Sequence, residues 1–462
     1  MSRRDSGRAL GVLILLVALA FLAFLALASF RAGPPPAIDI VPGLPAIGKR
    51  TPILVKVEEP RRGPASVRVE LVQGTRTQVL AEKAFSTRSS WKLWGSGAPA
   101  VELKVEVGRE TIRGLAAGTA TIRVVAARAG SWLRHPEPTV REISLPVRLT
   151  PPSLQVLSTA TYLNQGGSEA VVYRVGETSV TDGVRSGEWF FQGSPLPGGG
   201  KQDRFALFGA PHDLGDVSKI RLVAADDVGN ETQVSFVDKF FPQRIRTDTI
   251  QVTDDFMGKV VPEILSQTPE IQDKGSPLDS YLEINGELRK KNAATLLEIS
   301  KRSREAFLWS RRFAPMPNAK VMSSFADRRT YLYQGRTVDH QDHLGFDLAS
   351  SRGAPIPAAN DGEVVLASFF GIYGNAVVID HGYGLMTLYG HLSSIDVKEG
   401  QAVKRGDVVG KTGQTGLAGG DHLHFSVFLR GMSVNPKEWW DDHWIRDRIA
   451  RKLGPAFSFA GS

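Results

Sequence analysis

The chain has 462 residues, with 56 Lys and Arg, 48 Asp and Glu, and a formal net charge of +8 at pH 7. It contains no cysteine. A chain of this length has room for several domains, and the absence of cysteine excludes disulfides, thiolate metal sites and lipidation on cysteine. Any metal in this protein must therefore be bound by histidine, carboxylate or backbone oxygen.

The N-terminal segment is apolar. An uninterrupted, charge-free and Leu-rich stretch covers residues 9–30, which is long enough to cross the hydrocarbon core of a membrane as one helix. Because Arg3, Arg4 and Arg8 precede it, the positive-inside rule keeps residues 1–8 in the cytoplasm and sends the remainder across. This predicts a single-pass protein of the cell inner membrane, with the bulk of the chain on the periplasmic side.

A cleaved signal peptide is the alternative interpretation of this segment. The small residues of Ala26-Leu27-Ala28 are typical of a cleavage site, but the apolar stretch is longer than a typical signal core, which favours the uncleaved anchor. The Pro-rich residues 31–36 follow and predict a stiff spacer.

Two regions beyond the spacer have the period-two alternation of β-strands. Val101, Leu103, Val105 and Val107 alternate with charged residues, and similar runs recur across residues 37–150, which predicts an immunoglobulin-like β-sandwich. Residues 151–244 contain further short strands and a turn at Asp227-Val228-Gly229-Asn230, which predicts a second β-sandwich.

The first of these regions is strongly basic. Residues 37–150 contain eighteen Lys or Arg and ten Asp or Glu, a difference of +8. This asymmetry suggests an anionic partner, either membrane headgroups or a cell-wall polymer, and the two sandwich domains are candidate contacts for other cell-envelope proteins. Nucleic acid is not expected as a partner, because an exported domain without a recognition motif gives no support for it.

Between residues 245 and 312 the apolar spacing becomes helical. Thr253 and Asp254 are suitable N-caps, and Ser276-Pro277 combines a cap with a first-turn proline. Two interpretations remain open, a helical connector and a cover that regulates access to a site in the next domain. The sequence favours the connector.

The residues with metal chemistry lie in the last third of the chain. His422 and His424 are two residues apart, with Leu423 between them, so on a β-strand their imidazoles point to the same face. His343 and Asp347 have an even spacing, which predicts one shared face of an extended segment. Three ligands and a spare imidazole are then available, and a catalytic zinc commonly has three protein ligands with a fourth position open.

Several motifs in this region resemble peptidase family M23, the lysostaphin and LytM-type cell-wall endopeptidases. The resemblance covers about residues 317–436. Its motifs are Ser324-Phe325 with Arg328-Arg329, His343-x-Gly345-x-Asp347, Ala354-Pro355-Ile356-x-Ala358, Tyr373-Gly374-Asn375, Tyr389-Gly390-His391-Leu392, Gly413-x-Thr415-Gly416 and His422-Leu423-His424-Phe425.

This resemblance implies a zinc metalloendopeptidase that hydrolyses amide bonds in the peptide part of peptidoglycan. It implies His343, Asp347 and His424 as zinc ligands, with His391 and His422 as catalytic histidines that bind no metal. The chemistry of the residues agrees with this implied role. The chain lacks the glutamate base of His-Glu-x-x-His enzymes, and an imidazole, which titrates near neutral pH, can replace that base. The alternative is a LytM-like regulator that activates a separate cell-wall amidase, but such regulators usually lack part of this set.

The expected architecture is multidomain and mainly β. A transmembrane helix (9–30), two sandwich domains and a helical connector (245–312) precede an antiparallel β peptidase domain (313–440) and a C-terminal tail (441–462). A hairpin at residues 397–410 also resembles biotinyl and lipoyl carriers, but no Met-Lys pair occurs and the histidines would be unexplained. His340 and His381 match no ligand position and are expected to face solvent or to support the site. Tyr389 is expected to share a strand face with His391 or to be packed in the core.

Overall fold

The computed structural model describes residues 3–92, 100–131 and 133–461. The chain divides into two compact units, residues 1–151 with 225–231, and residues 152–224 with 232–462. Each unit is built mainly from β-strands, so the predicted mainly β class is confirmed.

The first unit begins with helix α1 (Arg3–Phe30). An 18-residue window within Arg8–Phe30 of this helix has a mean hydropathy of 3.1, and the segment satisfies the length and composition of a membrane span, as a signal sequence near an N-terminus also would. Its large apolar side chains between Leu10 and Leu22 are exposed, which is the pattern of a helix that needs an apolar environment.

Seven strands follow in the first unit and form a three-stranded sheet, in the order β1-β2-β5, and a four-stranded sheet, in the order β4-β3-β6-β7. The strands are β1 (Ala37–Pro42), β2 (Thr51–Glu58), β3 (Pro64–Gln73), β4 (Arg76–Ala84), β5 (Val101–Val107), β6 (Gly118–Arg128) and β7 (Thr139–Val147). Alternate residues such as Val55, Val69 and Val124 are buried in one core, as the alternation in the sequence predicts. The immunoglobulin-like topology of this region stays a prediction.

The second unit begins with further short strands. Two four-stranded sheets have the orders β13-β14-β10-β8 and β12-β11-β15-β16, and β9 pairs in parallel with β17. The strands are β8 (Leu154–Val156), β9 (Tyr162–Asn164), β10 (Ser168–Val175), β11 (Thr181–Ser186), β12 (Trp189–Gln192), β13 (Ser194–Pro195), β14 (Asp203–Gly209), β15 (Ile220–Ala225), β16 (Glu231–Val234) and β17 (Lys239–Phe241). Their aromatic core includes Tyr173, Phe191 and Phe208.

The segment predicted as a helical connector contains both a strand and helices. Strand β18 (Thr247–Val252) is followed by α2 (Asp254–Gln267), α3 (Pro277–Glu283) and α4 (Arg289–Ser300), with a π-helical turn at Ile284–Leu288. Two of the predicted caps are confirmed: the side chains of Thr253 and Ser276 accept hydrogen bonds from Phe256 N and Asp279 N, respectively. Asp254, the other predicted cap, is instead the first residue of α2.

This segment packs onto the C-terminal domain. Strand β18 pairs in parallel with the strand at Asp327–Tyr333, and Val260, Ile264 and Leu288 are buried in one cluster with Tyr331 and Ile372. Burial of this apolar surface stabilises the segment against the domain. Residues 247–300 are therefore an integral part of the second unit.

The C-terminal domain is built on an eight-stranded sheet, in the order β19-β22-β30-β26-β25-β24-β28, with β31 paired to β30. Two three-stranded sheets, β23-β29-β27 and β18-β20-β21, flank it. The strands are β19 (Lys320–Ser323), β20 (Asp327–Tyr333), β21 (Arg336–His343), β22 (Phe346–Ala349), β23 (Pro355–Pro357), β24 (Gly362–Phe369), β25 (Asn375–Asp380), β26 (Leu385–Gly390), β27 (Ser394–Ile395), β28 (Ala402–Val403), β29 (Val408–Lys411), β30 (Leu423–Leu429) and β31 (Met432–Val434).

The last residues of the chain differ from the predicted tail. Residues 441–462 include α6 (Asp442–Ile445) and α7 (Arg451–Leu453), which follow α5 (Pro436–Trp439). Ile445, Ile449, Leu453 and Phe457 are buried in the core of the second unit. The four-residue spacing of Ile445, Ile449 and Leu453 places these three on one helical face, which is the signal in the sequence for this packing. Phe457 follows the end of the helix at Gly454, where φ is 53°.

Candidate metal centre

Neighbouring strands bring the predicted site residues together. His343 is the last residue of β21, Asp347 lies in β22 and His424 lies in β30, directly opposite Asp347 in the strand register. His343 and Asp347 are thus on two strands and not on the single extended segment that their spacing suggested. Gly345 lies between them, and a Cβ atom there would come within 2.6 Å of the His424 ring. Glycine is required because a side chain would displace His424.

Three donor atoms of this cluster face one another. His343 Nε2 lies 3.0 Å from Asp347 Oδ1 and 3.1 Å from His424 Nδ1, and His424 Nδ1 lies 3.0 Å from Asp347 Oδ1. All three residues are buried. The geometry and the donor types identify this group as one that could hold a metal ion.

The hydrogen bonds of the outer ring nitrogens determine the tautomers of the histidines. His343 Nδ1 lies 3.0 Å from Ser324 O, His391 Nδ1 lies 2.9 Å from Thr415 O, and His422 Nδ1 lies 2.8 Å from Gly420 O. A carbonyl oxygen can only accept, so each of these nitrogens carries the proton. In the neutral form, Nε2 then presents its lone pair to the site.

His424 is held in the opposite tautomer. Its Nε2 lies 2.9 Å from Ser426 Oγ, and this hydroxyl donates its own hydrogen to Leu344 O at 2.8 Å. The hydroxyl must therefore accept from His424 Nε2, which leaves the Nδ1 lone pair for the centre. Partners of this kind orient the ligands of protein metal sites.

Arg329 completes the surroundings of the carboxylate. Its Nη2 donates to Asp347 Oδ2 at 2.8 Å, so the two carboxylate oxygens have different partners. Burial raises the pKa of Asp347, but the interactions of its carboxylate with the neighbouring His343, His422 and His424 outweigh this effect and hold the pKa well below its usual range. Arg329 belongs to a sequence motif that gives it no role, because its ion pair with Asp347 joins β20 and β22, which lie in different sheets.

The remaining two predicted residues lie beside the three donors. The ring centroids of His391 and His422 are 4.8 Å apart, and His422 Nε2 lies 3.5 Å from Asp347 Oδ1. Burial and the neighbouring His422 and His424 hold the pKa of His391 well below its usual range. Burial lowers the pKa of His422, but its hydrogen bond to Asp347 and the charge of that carboxylate give a net upward shift.

Other residues near the site have structural positions. His391 follows the end of β26 with a φ of 66°, so it does not share a strand face with Tyr389. The Tyr389 hydroxyl is buried and accepts from Ala359 N at 2.7 Å. His381 is completely buried, between Asp361 O and the Thr387 hydroxyl, whereas His340 is exposed.

A cavity of about 500 Å³ opens onto the cluster. One wall carries the four site histidines and Asp347, and the segment 247–300 contributes Phe256, Tyr281 and Arg289. The segment therefore forms part of the wall of the site. It is more than a connector, but it lines the cavity beside the metal centre and does not cover it.

The donor set suits a small divalent cation of the zinc type. Zinc bonds to histidine nitrogen and carboxylate oxygen are about 2.0–2.2 Å long, which places two ligands of a tetrahedral ion roughly 3.3 Å apart. The three donor separations of 3.0–3.1 Å are close to this value. Burial also lowers the pKa of His424 to about 4, which favours the neutral imidazole that binds metals.

Comparison with known proteins agrees with this class of site. The sequence profile described as peptidase family M23 matches residues 341–436. Peptidoglycan DD-endopeptidase ShyA of Vibrio cholerae is 35% identical over 182 residues, which cover 38% of this chain and 39% of ShyA. DD-carboxypeptidase/endopeptidase Mpg of Neisseria meningitidis serogroup B is 44% identical over 94 residues, which cover 20% of this chain and 22% of Mpg.

Among solved structures, the lysostaphin catalytic domain of Staphylococcus simulans is 27% identical, with 27% of this chain and 92% of that chain covered and a TM-score of 0.24. On the sequence match, residues 341–436 form a domain of peptidase family M23, which is metal-dependent. The buried group of His343, Asp347 and His424, which could hold a metal ion, lies within this domain. The match spans 39% of ShyA and 22% of Mpg, so the chain covers less than two thirds of either relative.

Proposed function

We propose that this protein is a zinc metalloendopeptidase that hydrolyses amide bonds in the peptide part of peptidoglycan. His343, Asp347 and His424 hold the zinc, and His391 and His422 are the catalytic histidines. The observation that carries the proposal is the triangle of three inward-facing donor atoms, 3.0–3.1 Å apart. ShyA and Mpg are named as enzymes that cut a DD bond, which supports an amide between two D-residues as the scissile bond.

A bound zinc would polarise the scissile carbonyl and lower the pKa of a water molecule. The residues of the chain supply the proton transfers. His391 is neutral and presents its Nε2 lone pair, so it accepts the proton of the attacking water. His422 has a raised pKa and donates a proton to the leaving nitrogen. Arg329 keeps Asp347 ionised and oriented through Oδ2.

Digestion of purified sacculi by the zinc-loaded full chain tests this function. We expect soluble muropeptides whose masses correspond to cleaved peptide cross-links, and no release after the metal is chelated. Cleavage products with intact peptides and broken glycan strands would contradict the proposal. Intact sacculi together with stimulation of a separate amidase would instead support the alternative function, a LytM-like regulator of a cell-wall amidase.

We propose that α1 anchors the protein in the cell inner membrane with the remaining chain in the periplasm. The support is the apolar segment Arg8–Phe30 and the arginines before it. A reporter that is active only outside the cytoplasm, fused after Pro36, should be active and remain in the membrane fraction. Recovery of a soluble mature protein that begins near Ser29 would show that the segment is a cleaved signal.

A further inference from the structure

One cation in the cavity of the metal centre lacks a counterion. Arg289, on α4, is partly buried and lines the same cavity as His343 and His424. No carboxylate among the residues that the structure describes lies within ion-pair distance of Arg289, whereas Arg329 in the same wall pairs with Asp347. A charged group that is partly removed from water is stabilised by a neighbouring group of opposite charge.

Two hydrogen bonds hold the guanidinium in place. Arg289 Nε donates to Asn285 O at 3.1 Å, and Nη2 donates to Asn285 Oδ1 at 2.7 Å. Asn285 is fully buried and donates through Nδ2 to Asp339 Oδ2 at 2.7 Å. The side chain of Arg289 is therefore oriented before any ligand arrives, with N–H groups of the guanidinium still available.

The tyrosines beside Arg289 cannot neutralise it. Burial raises the pKa of Tyr281 and that of Tyr373, so both phenols stay protonated at neutral pH. Tyr281 lines the cavity next to Arg289, and Tyr373 connects it to the metal centre, with a ring centroid 5.4 Å from that of His424. The cavity thus combines one unpaired cation, aromatic walls and the hydrolytic site.

We propose that Arg289 is a specificity-determining residue that binds a carboxylate of the peptide substrate. This inference rests on the proposed peptidase function. A carboxylate is the anionic group that peptides carry, and its planar geometry matches the donors of a guanidinium. Because Arg289 lines the same cavity as the metal centre, the recognised carboxylate belongs to a residue next to the cleaved bond. The enzyme should therefore prefer a free carboxylate at that residue to an amide.

The test uses two short peptides that end in D-Ala-D-Ala, one with a free C-terminal carboxylate and one amidated. Zinc-loaded full chain is compared as wild type, Arg289→Gln, Arg289→Lys and Lys290→Gln. Lys290 is a matched control, because it is the next residue, carries the same charge, is exposed and pairs with Glu287. Binding of ketomethylene analogues, in which the scissile amide nitrogen is replaced by carbon, is measured by calorimetry alongside kcat/KM.

We expect wild type and Lys290→Gln to cleave the free acid at least about tenfold more efficiently than the amide. Arg289→Gln should lose this preference and keep the rate on the amide, and Arg289→Lys should recover part of it. Equal losses on both peptides, or no preference in wild type, would overturn the carboxylate site while leaving the peptidase function intact. If wild type leaves sacculi intact and cleaves neither peptide but binds the free-acid analogue through Arg289, the peptidase proposal fails and the carboxylate site stands. If wild type leaves sacculi intact, cleaves neither peptide and binds the free-acid analogue no better than the amidated one, both the peptidase proposal and the carboxylate site fail.

Discussion

Replacement of His343 by alanine is expected to remove the metal and with it the hydrolytic activity. His343 Nε2 is one of only three donors in the proposed set, and the two left cannot hold zinc against solvent at the same affinity. Zinc as a Lewis acid contributes several kcal/mol to the transition state, so the loss in kcat should be about a thousandfold or more. The zinc content of the purified full chain, measured by elemental analysis, should fall from close to one zinc per molecule to near zero.

His340→Ala is the matched control for this change. His340 lies on the same strand and is exposed, and its ring forms a hydrogen bond with the Thr330 hydroxyl. It should keep both the zinc and the rate. Full zinc occupancy in an Asp347→Ala, His424→Ala double variant would show that the metal binds elsewhere.

Replacement of His391 by alanine is expected to separate catalysis from metal binding. The imidazole touches none of the three proposed donor atoms through a hydrogen bond, and its own hydrogen bond goes to Thr415 O. The variant should therefore retain one zinc per molecule. Loss of a positioned general base should lower kcat by about a hundredfold or more.

The two measurements must be made on the same preparation. A His391→Ala protein without zinc would mean that this residue belongs to the ligand set and that the present assignment is wrong. Unchanged kcat with full zinc would assign the proton transfer to another group, with His422 the next to be tested.

The site residues were predictable because their signals are local. His422 and His424 are two residues apart, and His343 and Asp347 are four apart, so their proximity follows from short stretches of sequence. What joins the two pairs is the register of β22 against β30, which places Asp347 opposite His424. That register cannot be deduced from spacing alone, and it was the resemblance to the M23 family that grouped His343, Asp347 and His424 as one set.

The surroundings of the site were less predictable. The wall formed by Phe256, Tyr281 and Arg289 depends on long-range packing of residues 247–300, including a parallel pairing of β18 with a strand about eighty residues later. Parallel pairing requires a crossover and has no turn signature in the sequence. The helical face of Ile445, Ile449 and Leu453 did carry a spacing signal, so the helices within the predicted tail could have been expected from the sequence.

The central claim is that His343, Asp347 and His424 hold the zinc of a peptidase centre. Anomalous diffraction at the zinc absorption edge, from crystals of the zinc-loaded protein, tests it most directly. We predict one strong peak within about 2.0–2.2 Å of His343 Nε2, an oxygen of Asp347 and His424 Nδ1. A peak coordinated by His391 or His422 in place of one of these residues, or no peak in this cluster, would contradict the account.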